Sequence, residues 1–272
     1  MSEPIRSLQN ERIKGLVRLR QRRERDKSKT FLVEGRREVE RALEAGAKID
    51  SLFLCPQLFS RDIRTLGSTA QRLGAELIEL GVAAFNKASY RENPDGVLGV
   101  FQQFDTSLST INLLGHPLLL VVEGIEKPGN LGTMMRTADA AGVTGVIVCD
   151  PATDPFNPNV VRASMGALFS VPLATASTAE TLSLLRGSGI RTVATTPDTD
   201  TVIWDVDFRG AIAIVIGTED TGLSPTWLEN SGVQARLPMA GSADSLNAAT
   251  AAAVCLFEAV RQRRDRYRQE SS

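Results

Sequence analysis

From Leu118 onward the chain alternates short apolar runs with helix-patterned segments. The pattern predicts strands over 118–122, 145–149, 191–195 and 211–216, and helices over 131–141, 158–168 and 246–263. Such alternation implies an α/β fold: a parallel sheet with helices on both faces. In these sheets, sites are built where the chain leaves the carboxyl end of a strand. The first such turn reads Glu126-Lys127-Pro128-Gly129-Asn130-Leu131-Gly132-Thr133-Met134-Met135-Arg136-Thr137. Pro128 and Gly129 break the strand, and Asn130 is a suitable N-cap for the helix after it. Arg136 falls one turn past Gly132 on the same helix face. A cation near a helix start opposes the dipole, which favours anions there. That mismatch points to a ligand or substrate. Taken alone, the segment reads equally well as a surface arginine paired with Glu126 or Asp139.

Several function classes are disfavoured at once. No apolar run approaches the length of a membrane span, and the charged N-terminus lacks a signal-peptide core. A cytoplasmic protein with no membrane partner is expected. Cys55, Cys149 and Cys255 are odd in number and far apart, so they offer neither a disulfide framework nor a CxxC metal half-site. Each stands in apolar company and is expected to be buried and reduced, and no metal is expected. The single histidine, His116, adjoins Pro117. A Ser-His-Asp hydrolase or a multi-His metal enzyme would have to depend on that one residue.

Net charge is −1, but its distribution is uneven. Between Arg12 and Arg41, basic residues outnumber acids, and Arg18, Arg20, Arg22, Arg23 and Arg25 crowd together. A basic block on a nearly neutral chain points to a polyanion; the competing reading is a solvated helix face of alternating charge. These five arginines and Arg36 are the candidate nucleic-acid contacts. A second cluster, Arg261, Arg263, Arg264, Arg266 and Arg268, reads equally well as a solvated helix end. The N-terminal part is predicted as helix 4–26, strand and turn 30–35, helix 36–46, strand 49–55, helix 60–73, strand 76–80, helix 82–88 and strand 97–104. That is a small α/β domain over 1–105, joined by a linker over 106–117 to a second domain over 118–272.

Two further stretches carry chemistry. The run 211–216 leads into Gly217-Thr218-Glu219-Asp220-Thr221-Gly222-Leu223-Ser224-Pro225. Gly217 lets something approach the backbone closely at the strand end. Glu219 and Asp220 can accept bonds from amines or hydroxyls and would repel a phosphate. No GxxxxGK[ST] is present, which disfavours an NTP-binding P-loop. By itself this loop is a tight turn with a solvated acid pair. The last stretch is Leu237-Pro238-Met239, then Ser245-Leu246-Asn247 before the run 248–253 of small residues. Proline frees part of the strand-end backbone, and Ser245 or Asn247 can cap the helix. Small residues permit close packing of backbone or ligand; an alanine-rich helix chosen for propensity explains them equally.

In this order and on these elements, the three stretches resemble the SpoU (TrmH) family of RNA ribose 2′-O-methyltransferases. Asn130, Gly132 and Arg136 look like its N-x-G-x-x-x-R motif. Gly217, Glu219, Gly222, Leu223 and Ser224 look like its G-x-E-x-x-G-[LI]-S motif. Leu237-Pro238-Met239 with Ser245-Leu246-Asn247-Ala248-Ala249 look like its third motif, with Leu237 in place of the commoner isoleucine. The segment 157–169 is similar to the family's linking helix. The N-terminal part, with Phe31-Leu32-Val33-Glu34-Gly35 and Asn93-Pro94-Asp95-Gly96-Val97, looks like the L30e-like substrate-binding domain of many members.

The resemblance implies a trefoil-knot (SPOUT) methyltransferase domain behind a smaller L30e-like α/β domain. It implies S-adenosyl-L-methionine as cofactor, held against Thr195, Ile216, Gly217, Leu237, Met239, Ser245, Leu246 and Asn247. It also implies a homodimer, and a catalytic set of Arg136, Asn130, Glu219 and Asn247. The L30e-like part favours 23S rRNA as substrate. The alternatives are tRNA, or a non-catalytic RNA-binding ribosome-assembly factor. A guanidinium is a poor general base at neutral pH, so for Arg136 a role in holding the target phosphate and orienting the hydroxyl is favoured over that of base.

Overall fold

The computed structural model describes residues 3–59 and 62–270, and side chains up to Arg264. In chain order the first elements are α1 (Glu11–Arg18), α2 (Arg22–Ser28), β1 (Thr30–Glu34), α3 (Arg36–Glu44), β2 (Ile49–Leu54), α4 (Arg64–Arg72), β3 (Glu76–Glu79), α5 (Val82–Ala88) and β4 (Val97–Gln102). There follow β5 (Leu118–Glu123), α6 (Pro128–Ala140), β6 (Gly145–Cys149), α7 (Pro158–Ser164), β7 (Leu173–Ala176) and α8 (Thr178–Gly187). The last are β8 (Arg191–Thr195), β9 (Ile212–Ile216), α9 (Pro225–Asn230), β10 (Val233–Ala235) and α10 (Ala248–Glu270). The chain divides into two units. One is the chain up to Phe104 together with Asp154–Ser170; the other is Asp105–Thr153 together with the chain from Val171 on.

The first unit holds a four-stranded sheet in the order β1-β4-β2-β3. The helix expected over 4–26 is two helices. The Asn10 side chain accepts from Arg12 N at 2.9 Å and starts α1 there. The carbonyls of Leu19 and Arg20, where the chain turns, are taken by the Arg25 guanidinium at 2.9 and 2.8 Å, so α2 begins afresh. Ser60 and Arg61 of the helix expected over 60–73 lie outside the described residues, and α4 starts at Arg64. Segment 154–170, expected in the second domain, belongs to the first unit for two reasons. Phe156 lies 4.9 Å from Phe31 and 5.0 Å from Phe104, ring centre to ring centre. Asp154 meets the buried Arg25. The helix expected over 158–168 stops at Ser164, because Met165 and Gly166 turn left-handed (φ 51° and 91°).

The second unit holds a six-stranded sheet in the order β10-β8-β9-β5-β6-β7, parallel throughout. Every residue of β5, β6 and β9 is buried, which is why they read as unbroken apolar runs. Residues 106–117, expected as a linker, pack on this unit. Thr175 N donates to Thr106 O at 2.7 Å, and Ile111 is part of the core. The short elements β7, α8 and α9 were not expected from the sequence, and the strand expected to end at Leu237-Pro238-Met239 stops at Ala235. Yet α8 opens on a capping box, with Ser177 and Glu180 bonding each other's backbone.

Candidate active site

β5 and β9 are neighbours in register, Val122 opposite Ile216. The turns that follow them therefore leave the sheet side by side, where the strand order reverses direction. α6 begins at Pro128, whose fixed φ and missing N–H suit a first helical position. Asn130 is thus not the N-cap expected but the third residue of the helix. Its amide donates to Glu219 Oε1 at 2.8 Å. The Asn247 amide donates to the same oxygen and lies 3.3 Å from Asn130 Oδ1. Lys127, at the N-cap position, closes the group through an ion pair to Glu219 Oε2. The Asn247 side-chain Oδ1 accepts from Ala249 N at 3.0 Å and caps α10. Of the two candidate caps, Asn247 is the one used. The Lys127 ammonium, then Asn130, hold the Glu219 carboxyl below the usual carboxylate range, and Glu219 in turn raises Lys127.

The loop after β9 folds back on itself. Thr218 N donates to Gly222 O at 3.0 Å. A Cβ on Gly217 would lie 2.2 Å from the Gly222 carbonyl carbon. What approaches Gly217 most closely is therefore the chain's own backbone. Ser224 donates from N (2.8 Å) and Oγ (2.7 Å) to Glu123, the buried last residue of β5, and so fixes the loop's far end.

Beside this loop, at the carboxyl ends of β8 and β9, lies a cleft of about 670 Å³, within the range of small-molecule sites. Thr195, Ile216, Gly217, Leu237, Met239, Ser245 and Leu246, the residues proposed to hold the cofactor, line it. Asn247 does not, because its side chain is engaged by Glu219 and the α10 cap. Residues the sequence did not single out also line it, among them Thr196, Pro197 and Asp198. Their Thr-Pro-Asp turn signal directly after a predicted strand could have marked them. The lining carries Asp198, Glu219, Asp220 and Asp244 and no Lys, Arg or His. Such a surface suits a cation without phosphates, and a sulfonium such as S-adenosylmethionine fits it. Glu219 also lines a smaller cavity of about 130 Å³ with Lys127 and Asn130.

Arg136 lies on the exposed face of α6 and lines neither cavity. His116 is exposed and away from both. Among the RNA candidates, Arg18, Arg20, Arg22 and Arg23 are exposed, with Arg18 and Arg22 beside Glu11 and Asp26. Arg25 is not: it is 1% exposed, and its Nε and Nη2 both donate to Asp154 Oδ2. Burial against a carboxylate removes it from any phosphate. Arg20 donates to the carbonyls of Lys87, Ala88 and Ser89, and Arg36 pairs with Glu40. The side chains of Arg266 and Arg268 lie outside those described. Among the described residues no His/Cys/Asp/Glu group could hold a metal ion, and no helix is long and apolar enough to cross a membrane.

Residues 117–257 match the model of the SpoU rRNA methylase family. The chain belongs to that family. Residues 10–99 match a second model, the MRM3-like substrate binding domain. A 23S rRNA (guanosine-2′-O-)-methyltransferase RlmB of Ralstonia nicotianae is 33% identical, over 87% of this chain and 97% of its own length. A 23S rRNA uridine 2′-O-methyltransferase of Streptomyces viridochromogenes is 34% identical, over 89% of this chain and 86% of its own. Among solved structures, the AdoMet-bound rRNA methyltransferase of Sinorhizobium meliloti superposes with a TM-score of 0.88 at 34% identity, covering 95% of this chain and 97% of that one.

Proposed function

We propose that this SpoU family member is an S-adenosylmethionine-dependent enzyme that methylates a ribose 2′-hydroxyl in 23S rRNA. The observation that carries the reading is the group Asn130–Glu219–Asn247 at the wall of an acidic cleft of suitable size. The relatives are named for 23S rRNA, which favours rRNA over tRNA. The intact polar group favours an enzyme over a silent assembly factor.

S-adenosylmethionine, when bound, supplies a methyl group on a sulfonium sulfur. Thr195, Ile216, Gly217, Leu237, Met239, Ser245 and Leu246 would hold it. No hydrogen bond to another described residue engages the main chain of 237–240, so those groups are available to a ligand. In this reading the C-terminal segment passes through a loop of the chain to form a trefoil knot. Asn130, Glu219 and Asn247 keep the loop rigid and present amide and carboxylate groups toward the ribose. A guanidinium cannot take the hydroxyl proton at neutral pH. Arg136 would instead hold the target phosphate and fix the hydroxyl's direction. Because Arg136 lines neither cavity of its own chain, the reading includes a homodimer in which each copy brings Arg136 to the other's cleft. The exposed Arg18, Arg22 and Arg23 would add phosphate contacts from the first unit, and the reading includes a cytoplasmic protein.

Two measurements test this. Calorimetry should detect S-adenosylmethionine binding. Mapping of 2′-O-methylation across 23S rRNA, with and without the gene, should show one methyl lost. No binding together with an unchanged map would sink the proposal.

A further inference from the structure

We infer that Lys127 is a positioning residue for methyl transfer, holding Glu219 as the ionised hub that joins the start of α6, the 217–222 loop and the cap of α10. The inference rests on the methyltransferase reading above. Glu219 receives three donors: the Lys127 ammonium on Oε2, and the Asn130 and Asn247 amides on Oε1. Both amides need an acceptor, and a protonated carboxyl accepts less and donates instead. The state of Glu219 thus decides whether two catalytic candidates stay aligned. Asn247 simultaneously caps α10, and Asn130 lies on the helix that carries Arg136. A change at Glu219 therefore reaches three parts of the site.

Lys127 is the charged donor in that group. The other charged neighbours that it faces are Glu126 and Asp220, both acids. From α10, the Asn247 amide and the Ala248 N–H face Glu219. Among the described residues of the same chain, Lys127 is the cation that acts on Glu219. Glu219 keeps 19% of its side-chain surface exposed and Lys127 68%. The pair is partly screened, and its worth lies in alignment more than in stability.

The test uses the full chain with in vitro transcribed 23S rRNA and radiolabelled S-adenosylmethionine. Lys127→Ala should lower kcat on the order of tenfold, as expected for loss of one charge-assisted bond. Its S-adenosylmethionine affinity should stay within about twofold, since Lys127 does not line the cleft. Lys127→Arg should restore most of the turnover. The decisive readout is the acid limb of the kcat profile. Lys127 holds the Glu219 carboxyl low, so its removal lets Glu219 protonate at higher pH and moves that limb upward; Lys127→Arg moves it back. An unmoved limb with unchanged kcat would overturn the inference. So would a rise confined to the KM for RNA, which would make Lys127 a phosphate contact. If the wild-type chain binds S-adenosylmethionine but transfers no methyl to 23S rRNA, the substrate reading has failed, and Lys127 is then judged by amide cross-peaks of Asn130 and Asn247. These should shift in Lys127→Ala and return in Lys127→Arg; unshifted peaks would overturn the inference.

Discussion

Arg25 stands in the middle of the basic block that points to RNA, and the structure gives it a different task. Its guanidinium is 1% exposed and the Asp154 carboxylate 7%. Nε reaches Asp154 Oδ2 at 2.8 Å, Nη1 reaches the carbonyls of Leu19 and Arg20, and Asp154 Oδ1 accepts from Phe156 N at 2.9 Å. Removing one member of such a pair leaves an uncompensated charge and costs about 3–5 kcal/mol. Arg25→Ala and Asp154→Ala should each destabilise by that amount. Arg25→Met with Asp154→Leu should recover part of that loss, because no lone charge is left buried, yet stay below wild type, because the Leu19 and Arg20 carbonyls and the Phe156 N–H lose their partners. Arg23→Ala, exposed on the same helix, should stay within about 0.5 kcal/mol. Urea unfolding followed by circular dichroism measures all four. Filter binding to 23S rRNA over a salt series supplies the second axis. Losing a phosphate contact reduces the salt slope by about one. The double variant, being folded, should keep the wild-type slope, and Arg23→Ala should lose part of it. A stable Arg25→Ala protein with a reduced salt slope would refute this account of the first unit.

Other expectations follow from single contacts. Gly217→Ala places a Cβ against the Gly222 carbonyl carbon, so S-adenosylmethionine affinity should fall by tenfold or more with about 1–3 kcal/mol of stability; Gly187→Ala, where the Cβ meets open space, is the neutral control. Arg136→Lys should lose most turnover while calorimetric S-adenosylmethionine binding is unchanged, and near-full turnover would show that bidentate guanidinium geometry is not the point. Burial pushes the Cys149 and Cys255 thiols up to about 12 and raises Cys55 as well. Iodoacetamide at about pH 8 should therefore label none of the three until urea is added, and rapid native labelling of Cys149 would contradict its packing.

The strands that were readable in the sequence are those whose burial is uniform. Ile212-Ala213-Ile214-Val215-Ile216 has no polar interruption because both faces of β9 are covered. β7 carries Thr175 at its middle and spans four residues at the sheet's edge. Its pattern is too short to stand out from a loop. The parts of the site were legible as motifs, yet their meeting was not. Asn130 and Glu219 are 89 positions apart and meet only because β5 and β9 pair in register. The role of Lys127 is hidden for the same reason: nothing local says that its ammonium ends on Glu219.

The charge pattern shows the limit most sharply. Arg23 and Arg25 sit two positions apart on α2, and on a helix that spacing puts them on different faces. Counted in the sequence they are equal members of one basic block. In the fold, Arg23 is exposed while Arg25 is sealed against a carboxylate 129 positions away. That carboxylate arrives with segment 154–170, whose apolar anchors Phe156 and Phe169 flank Phe31. A cut at the start of β5 would strip the cover from these rings and leave Asp154 without its cation. Loss of RNA binding on such truncation would then report misfolding as readily as a missing phosphate grip. Point substitutions at the exposed Arg18, Arg22 and Arg23 separate the two, because they alter surface charge without opening the core.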